Sequence, residues 1–319
     1  MRLLTALTPL LATAGALSLP SPIAKRALST VSTHPIVQHN SYTAWFAEGE
    51  ASEAQLRELV VQFSVFSNLF LLAQLNKIIN SPTIEGAREG KEILANEIGV
   101  AFKPKRKKSD TAPAGNEMNP DFVSLEGSIE GGTYTHRAAH FEWLCDVGES
   151  LGLSFDQLGK RRHGSPATLH FCDALFDIYG ADDPSISIGA SFAIEHWANA
   201  GFWDELVEGF QKLNAKLPDG QKKYPMGFWR FHQMLEAQHA AHTMDELEEA
   251  VAEGLIEDED KFVAAANEML DACAIFWNGL DASRKGETLS LDGIRKDASA
   301  RTWSVRVSKT GREVPQRAR

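Results

Sequence analysis

Between residues 34 and 283 the apolar positions recur at three- and four-residue intervals, the period of an α-helix buried on one side. Ser52-Glu53-Ala54-Gln55 reads as an N-terminal cap, followed by Leu56, Leu59, Val60, Phe63, Phe66 and Leu69 at helical spacing. Residues 66–75 are apolar nearly all round, the pattern of a central helix. Ser81-Pro82 opens a second helix that carries Ile84, Ala87, Ile93 and Leu94 and ends near Asn96-Glu97-Ile98-Gly99. Helical periodicity returns at His136 and runs to Gly152. Further helices are predicted over about 166–179, from about Ser185, after Pro225, and over 259–280. Ser/Asp-rich and Gly-rich breaks separate them. No strand-like alternation and no internal repeat is evident. The expectation is one all-α domain over about 34–283, a bundle of seven to eight helices.

Two segments stand outside this pattern. Residues 103–120 hold Lys103, Lys105, Arg106, Lys107 and Lys108 and then prolines and polar residues, which reads as a basic flexible insertion. Residues 284–319 are polar and basic without periodicity and read as a loose tail.

The stretch 1–33 reads as a leader. Residues 1–47 contain no Asp or Glu, and an apolar run follows Arg2. These features fit a secretory or organellar targeting peptide, with Lys25-Arg26 as a processing site. Against secretion, the chain has no Asn-x-Ser/Thr sequon, and an intracellular location is the favoured expectation. Pro9 interrupts the long apolar run near the N-terminus, and no membrane span is expected.

Composition narrows the classes of function. A chain of 319 residues that is 43% apolar can bury a large core. A net charge of −11 argues against nucleic acid as a partner. Cys145, Cys172 and Cys273 are odd in number and widely spaced, so they read as buried thiols.

The candidate chemistry centres on residues 228–243. His232, Glu236 and His239 stand at i, i+4 and i+7, on one stripe of a helix. Burying three polar side chains in a bundle core is costly unless something binds them. Glu195 stands in an otherwise apolar helical turn, where a carboxylate pairs with a base, holds a metal or faces solvent. His140 lies in an Ala-Ala-His-Phe context, which also suits a core histidine bonded to a carbonyl. Glu97 ends a helix, where ordinary solvation would serve equally well.

Together Glu97, His140, Glu195, His232, Glu236 and His239 exceed the needs of one tetrahedral zinc and suit two divalent ions bridged by carboxylate. Imidazole and carboxylate without thiolate favour iron or manganese. A repeated Glu-x-x-His pair of the ferritin type is absent. On these donors alone the choice between iron and manganese stays open, with two ions per chain expected.

These motifs resemble those of the haem-oxygenase-like diiron oxidases and oxygenases, relatives of the thiaminase-2 and pyrroloquinoline-quinone-synthase bundles. The resemblance covers about residues 34–283. Asn96-Glu97-Ile-Gly99 is similar to that family's helix-ending motif, and His140-Phe-Glu-Trp-Leu to its His motif. Glu195 stands where the family has a lone bridging Glu. His232-x-x-x-Glu236-x-x-His239 resembles the closing His-x-x-x-Asp-x-x-His, with Glu in place of Asp. The family keeps its first Glu and His about ten residues apart, so Glu130 rivals Glu97, and His136 is a weaker rival to His140. Glu97 is favoured because the preceding helix runs into it.

The resemblance implies a non-haem iron enzyme that uses O2 to oxidise a small molecule, amino-acid-like or fatty-acid-like, in specialised metabolism. Phe192, Trp197, Trp229 and Phe231 would keep water out. Arg137 or Arg230 could meet a substrate carboxylate, and His242 could back a ligand or face solvent. The rival readings are a thiaminase-2-like hydrolase or transferase, with Cys172 or Cys145 as nucleophile, and a metal-free ligand-binding bundle. A homodimer remains open.

Overall fold

A computed structural model describes residues 20–104, 132–136, 140–291, 304–307 and 313–316. Among these residues the chain forms eleven α-helices and two small antiparallel strand pairs. Seven of the helices answer to the sequence pattern. The others are α1 (Pro22–Thr33), α2 (Pro35–Gln38), α3 (Ser41–Phe46) and α9 (Phe202–Lys216).

Helix α1 lies within the stretch read from sequence as a leader. Ser21 caps it by accepting from the Ala24 amide, and it buries Ile23, Ala24, Ala27 and Val31. It packs on α11 (Glu259–Arg284).

The central helix is α4 (Glu53–Ile79). It opens on a capping box in which Ser52 and Gln55 satisfy each other's backbone amides. By length and composition it is the one described helix that could cross a membrane, which the reading of the sequence did not anticipate. In the fold its Leu56, Leu59, Val60 and Phe63 are core residues, and it packs against α5 (Ile84–Glu97), α6 (His140–Ser150) and α7 (Pro166–Ala174). Around it lie α8 (Pro184–Ala198), α10 (Gly227–Ala252) and α11. A π-helical turn, Leu175–Tyr179, extends α7 and rests on α4 and α8.

Helices α8 and α11 make the most extensive pairing. Gly189 permits it, because a Cβ there would stand 2.5 Å from the Phe262 carbonyl oxygen. One contiguous core results, rich in aromatic side chains, with Phe63, Trp229, Phe276 and Trp277 almost wholly buried.

The strands correct one expectation. The sequence pattern predicts helix from His136, but 132–136 is strand and α6 starts at His140. Gly132 and the β-favouring Thr133, Tyr134 and Thr135 outweigh the apparent periodicity. Strand β1 (Val100–Pro104) pairs antiparallel with β2 (Gly132–His136), Val100 opposite His136 and Pro104 opposite Gly132. The pair closes the neck of the basic insertion, whose residues 105–120, like Glu130 and Arg137, lie outside the described residues. In the segment read as a tail, β3 (Ser304–Val307) pairs with β4 (Glu313–Gln316).

Candidate metal centre

The β1–β2 neck settles how two residues far apart in sequence come together. Glu97 is the last residue of α5, just before β1, and His140 is the first of α6, just after β2. With Val100 paired to His136, the two helix ends must lie side by side. His140 Nδ1 stands 3.2 Å from Glu97 Oε2. The histidine is 3% exposed, and neither ring nitrogen makes a hydrogen bond. The 3.2 Å contact is therefore a close approach out of line for hydrogen bonding. A buried imidazole with two unused nitrogens is costly, and most buried polar atoms have partners.

His232 on α10 is the third member of this group. Its ring lies 4.9 Å from that of His140, edge to face. Its Nδ1 is 2.8 Å from the Phe228 carbonyl oxygen one turn earlier. That contact assigns the proton to Nδ1, so in the neutral ring Nε2 carries the lone pair, the arrangement of a metal-ligating histidine held by backbone. Trp203 on α9 stacks on the ring at 4.7 Å and 18°, and Phe228 lies at 4.3 Å. Phe231 covers His140 at 4.7 Å, with Trp143 behind it at 5.0 Å. Aromatic walls of this kind keep water from the two imidazoles.

Glu195 sits on α8 beside a second polar group. Lys77, near the end of α4, donates to Ser191 Oγ at 2.8 Å and pairs with Glu246 of α10 at 2.9 Å. Its side chain is 17% exposed. Burial works against the ammonium, but Glu246, Tyr179 and Glu195 together hold its pKa above the usual lysine value. Tyr179 accepts from Gln74 at 2.8 Å, and burial pushes its phenol pKa up. His196, next to Glu195, is bonded through Nδ1 to the Phe192 carbonyl at 2.9 Å, and burial lowers its pKa.

Of the six residues singled out in the sequence, His140 lies against Glu97 on one side and beside His232 on the other. Glu195 is close enough to the Lys77 group for its charge to act on Lys77 and Tyr179. Glu236 and His239 follow His232 along α10, but their side chains lie outside the described set, as does that of His242. Among the described residues no three His, Cys, Asp or Glu side chains stand close enough to hold an ion. A cavity of about 80 Å³ opens beside Lys77, Ser187 and Glu246, and none of the six candidates lines it. Its place marks the Lys77 group as reachable from outside.

By donor type the described residues fit iron: carboxylate and imidazole meet at Glu97 and His140, no thiolate is among them, and neither buried His140 nitrogen makes a hydrogen bond. Two features escaped the sequence reading. Lys77 carried a signal, being the single charge in the apolar run that ends α4. Trp203 carried none, because nothing in its helix pointed toward His232.

No family model matches this chain, and no curated protein matches its sequence. Solved structures do resemble it in fold. A TenA homolog from Pseudomonas syringae pv. tomato aligns with a TM-score of 0.58 at 10% identity, covering 82% of this chain and 93% of the other. A CADD-like protein of unknown function from Nostoc punctiforme aligns with a TM-score of 0.52 at 17% identity, covering 81% and 95%. These likenesses show the fold alone, an all-α bundle of the kind those two structures share, as the helical pattern predicts.

Proposed function

We propose that this chain is a non-haem iron oxidase or oxygenase that uses O2 to oxidise a small molecule. The observation that carries the reading is His140, a buried imidazole with no hydrogen bond at either nitrogen, against Glu97 and beside His232. Glu97, His140, Glu195, His232, Glu236 and His239 would hold two Fe(2+) ions. Bound there, the iron would supply the one-electron chemistry that O2 requires.

The protein's own part is to hold and shield. The Phe228 carbonyl fixes the His232 tautomer and aims Nε2 as a donor. Carboxylates from α5, α8 and α10 would offset the charge of the ions. Trp143, Trp203, Phe228 and Phe231 exclude water from the imidazoles, so that O2-derived oxidant meets substrate before solvent. Lys77, kept protonated and anchored by Glu246, would place a cation whose field reaches Glu195.

The test is rapid mixing of the Fe(2+)-loaded protein with O2 while following absorbance and O2 uptake, with panels of amino acids and fatty acids. O2 consumption that a substrate accelerates supports the proposal. A loaded protein that leaves O2 untouched with every panel counts against it.

The likeness to the TenA homolog favours a second reading, a thiaminase-2-like hydrolase or transferase. Such chemistry needs a thiolate. Burial raises the Cys172 thiol to about 12 and that of Cys145 to about 11. Neither is poised as a nucleophile. Pyrimidine hydrolysis by the metal-free chain would support this second reading.

A further inference from the structure

The aromatic side chains around His232 do more than wall it off: they continue outward in an unbroken line. Trp203 stacks on His232 at 4.7 Å. Phe202 lies 4.5 Å from Trp203 and 5.6 Å from Trp277 on α11. Trp277 is 5.7 Å from Tyr42 on α3, and Tyr42 is 5.4 Å from Trp45. Trp45 is half-buried at the protein's edge, with the Arg284 guanidinium 4.4 Å from its ring centre. Ring centres along the line stand 4.5 to 5.7 Å apart, and the easily oxidised side chains, indole and phenol, recur on both sides of Phe202.

We infer that the line from Trp203 through Phe202, Trp277 and Tyr42 to Trp45 is a one-electron relay between the candidate iron centre and the surface. The inference rests on the proposed O2 chemistry and extends it. When substrate is absent, an O2-derived oxidant at the centre would attack its own ligands, and the relay feeds it an electron instead.

Were an oxidant formed at the centre, Trp203 would give it one electron and become an indole radical cation. Its N–H is buried with no acceptor, so the proton stays in place and charge alone moves on. Trp277 returns an electron to Trp203, with Phe202 as the bridge. Tyr42 returns one to Trp277 and releases its phenolic proton toward Glu58, its largest charged influence. Trp45 then reduces Tyr42, which recovers its proton. A soluble one-electron reductant such as ascorbate restores Trp45. The net result is one electron carried from reductant to oxidant, with no bond made or broken.

A core that merely packs well would need the same shapes but not this chemistry. Phenylalanine at positions 277 and 42 would keep the packing class and break the relay, which gives the test its handle.

The experiment uses the full chain in two arms. In the metal-free arm a ruthenium tris-bipyridyl photo-oxidant is attached to the exposed position 48 through Glu48→Cys and fired with an irreversible quencher. Oxidised residues are then mapped by peptide mass spectrometry. Oxidation at Trp45 is the internal control, and products are expected at Trp203 as well. In Trp277→Phe, or in Tyr42→Phe should the first fold poorly, products at Trp203 are expected to be lost while Trp45 is still oxidised. Equal Trp203 oxidation in parent and variants, or none in the parent, overturns the relay.

In the second arm the Fe(2+)-loaded chain meets O2 without substrate. The parent is expected to accumulate products at Trp45 that ascorbate suppresses, and Trp277→Phe to confine damage to Trp203 and its neighbours. Loaded protein that takes up no O2 would sink the proposed function. The metal-free arm would still decide the relay.

Discussion

His140 Nδ1 lies 3.2 Å from Glu97 Oε2, yet forty-three positions separate the two residues in the chain. The β1–β2 pair closes that distance, and the imidazole it delivers is buried with neither nitrogen hydrogen-bonded. Such a ring weakens the metal-free fold. Replacing it with an apolar side chain of similar size, His140→Leu, should therefore stabilise the metal-free chain by about 1–3 kcal/mol, the cost of a buried unsatisfied polar group. Iron binding should fall in the same variant. Chemical denaturation paired with iron analysis checks both, and a variant less stable than the parent would mean the ring has a partner.

The Lys77–Glu246 pair lies mostly out of water, at 17% and 27% exposure. Removing one partner strands the other charge. Glu246→Ala should cost about 3 kcal/mol, the lower end of the range for a broken buried pair because water still reaches both groups. The double variant Lys77→Met/Glu246→Leu should regain most of that loss. Urea unfolding of the singles and the double forms the cycle, and additive losses would argue that the pair is uncoupled.

Gly189 sets the approach of α8 to α11, and with it the depth of Glu195. A methyl group there meets the Phe262 backbone, which cannot swing aside as a side chain could. Gly189→Ala should cost about 1–3 kcal/mol as overpacking. Thermal unfolding followed by circular dichroism measures it, and an unchanged midpoint would show that the helices part freely.

How much of this was legible beforehand depends on the range of the signal. Helices such as α4 and α11 announce themselves through local period, and the cap at Ser52 was readable from four residues. Helix α9 also has a clear apolar face, but Trp203 matters through its stack on His232, a contact between helices that period cannot convey. The neck strands were hidden because five-residue elements leave little pattern, and His136 sits close enough to α6 to look like its first turn. His140 was visible as a candidate. Its lack of hydrogen bonds, which gives it weight, depends on side chains from α5 and α10.

Thiol reactivity separates the two enzymatic readings cheaply. With Cys145 raised to about 11 by burial, first, and by nearby Asp146 and Glu142, its thiolate fraction at pH 8 is small. By the Henderson–Hasselbalch relation it is about one in a thousand, against about a quarter for free cysteine of pKa about 8.5. Alkylation of the native chain by iodoacetamide should be slow at pH 8 and rise steadily as pH approaches 11. A fast-reacting thiol at neutral pH would revive a cysteine nucleophile.

The central claim is that six side chains from α5, α6, α8 and α10 hold two irons, and anaerobic Fe(2+) titration of the full chain tests it most directly. Two equivalents per chain should bind, and Glu195→Ala or His239→Ala should lose iron while circular dichroism shows helix content unchanged. A parent chain that binds no iron, or variants that still bind both ions, would contradict the account.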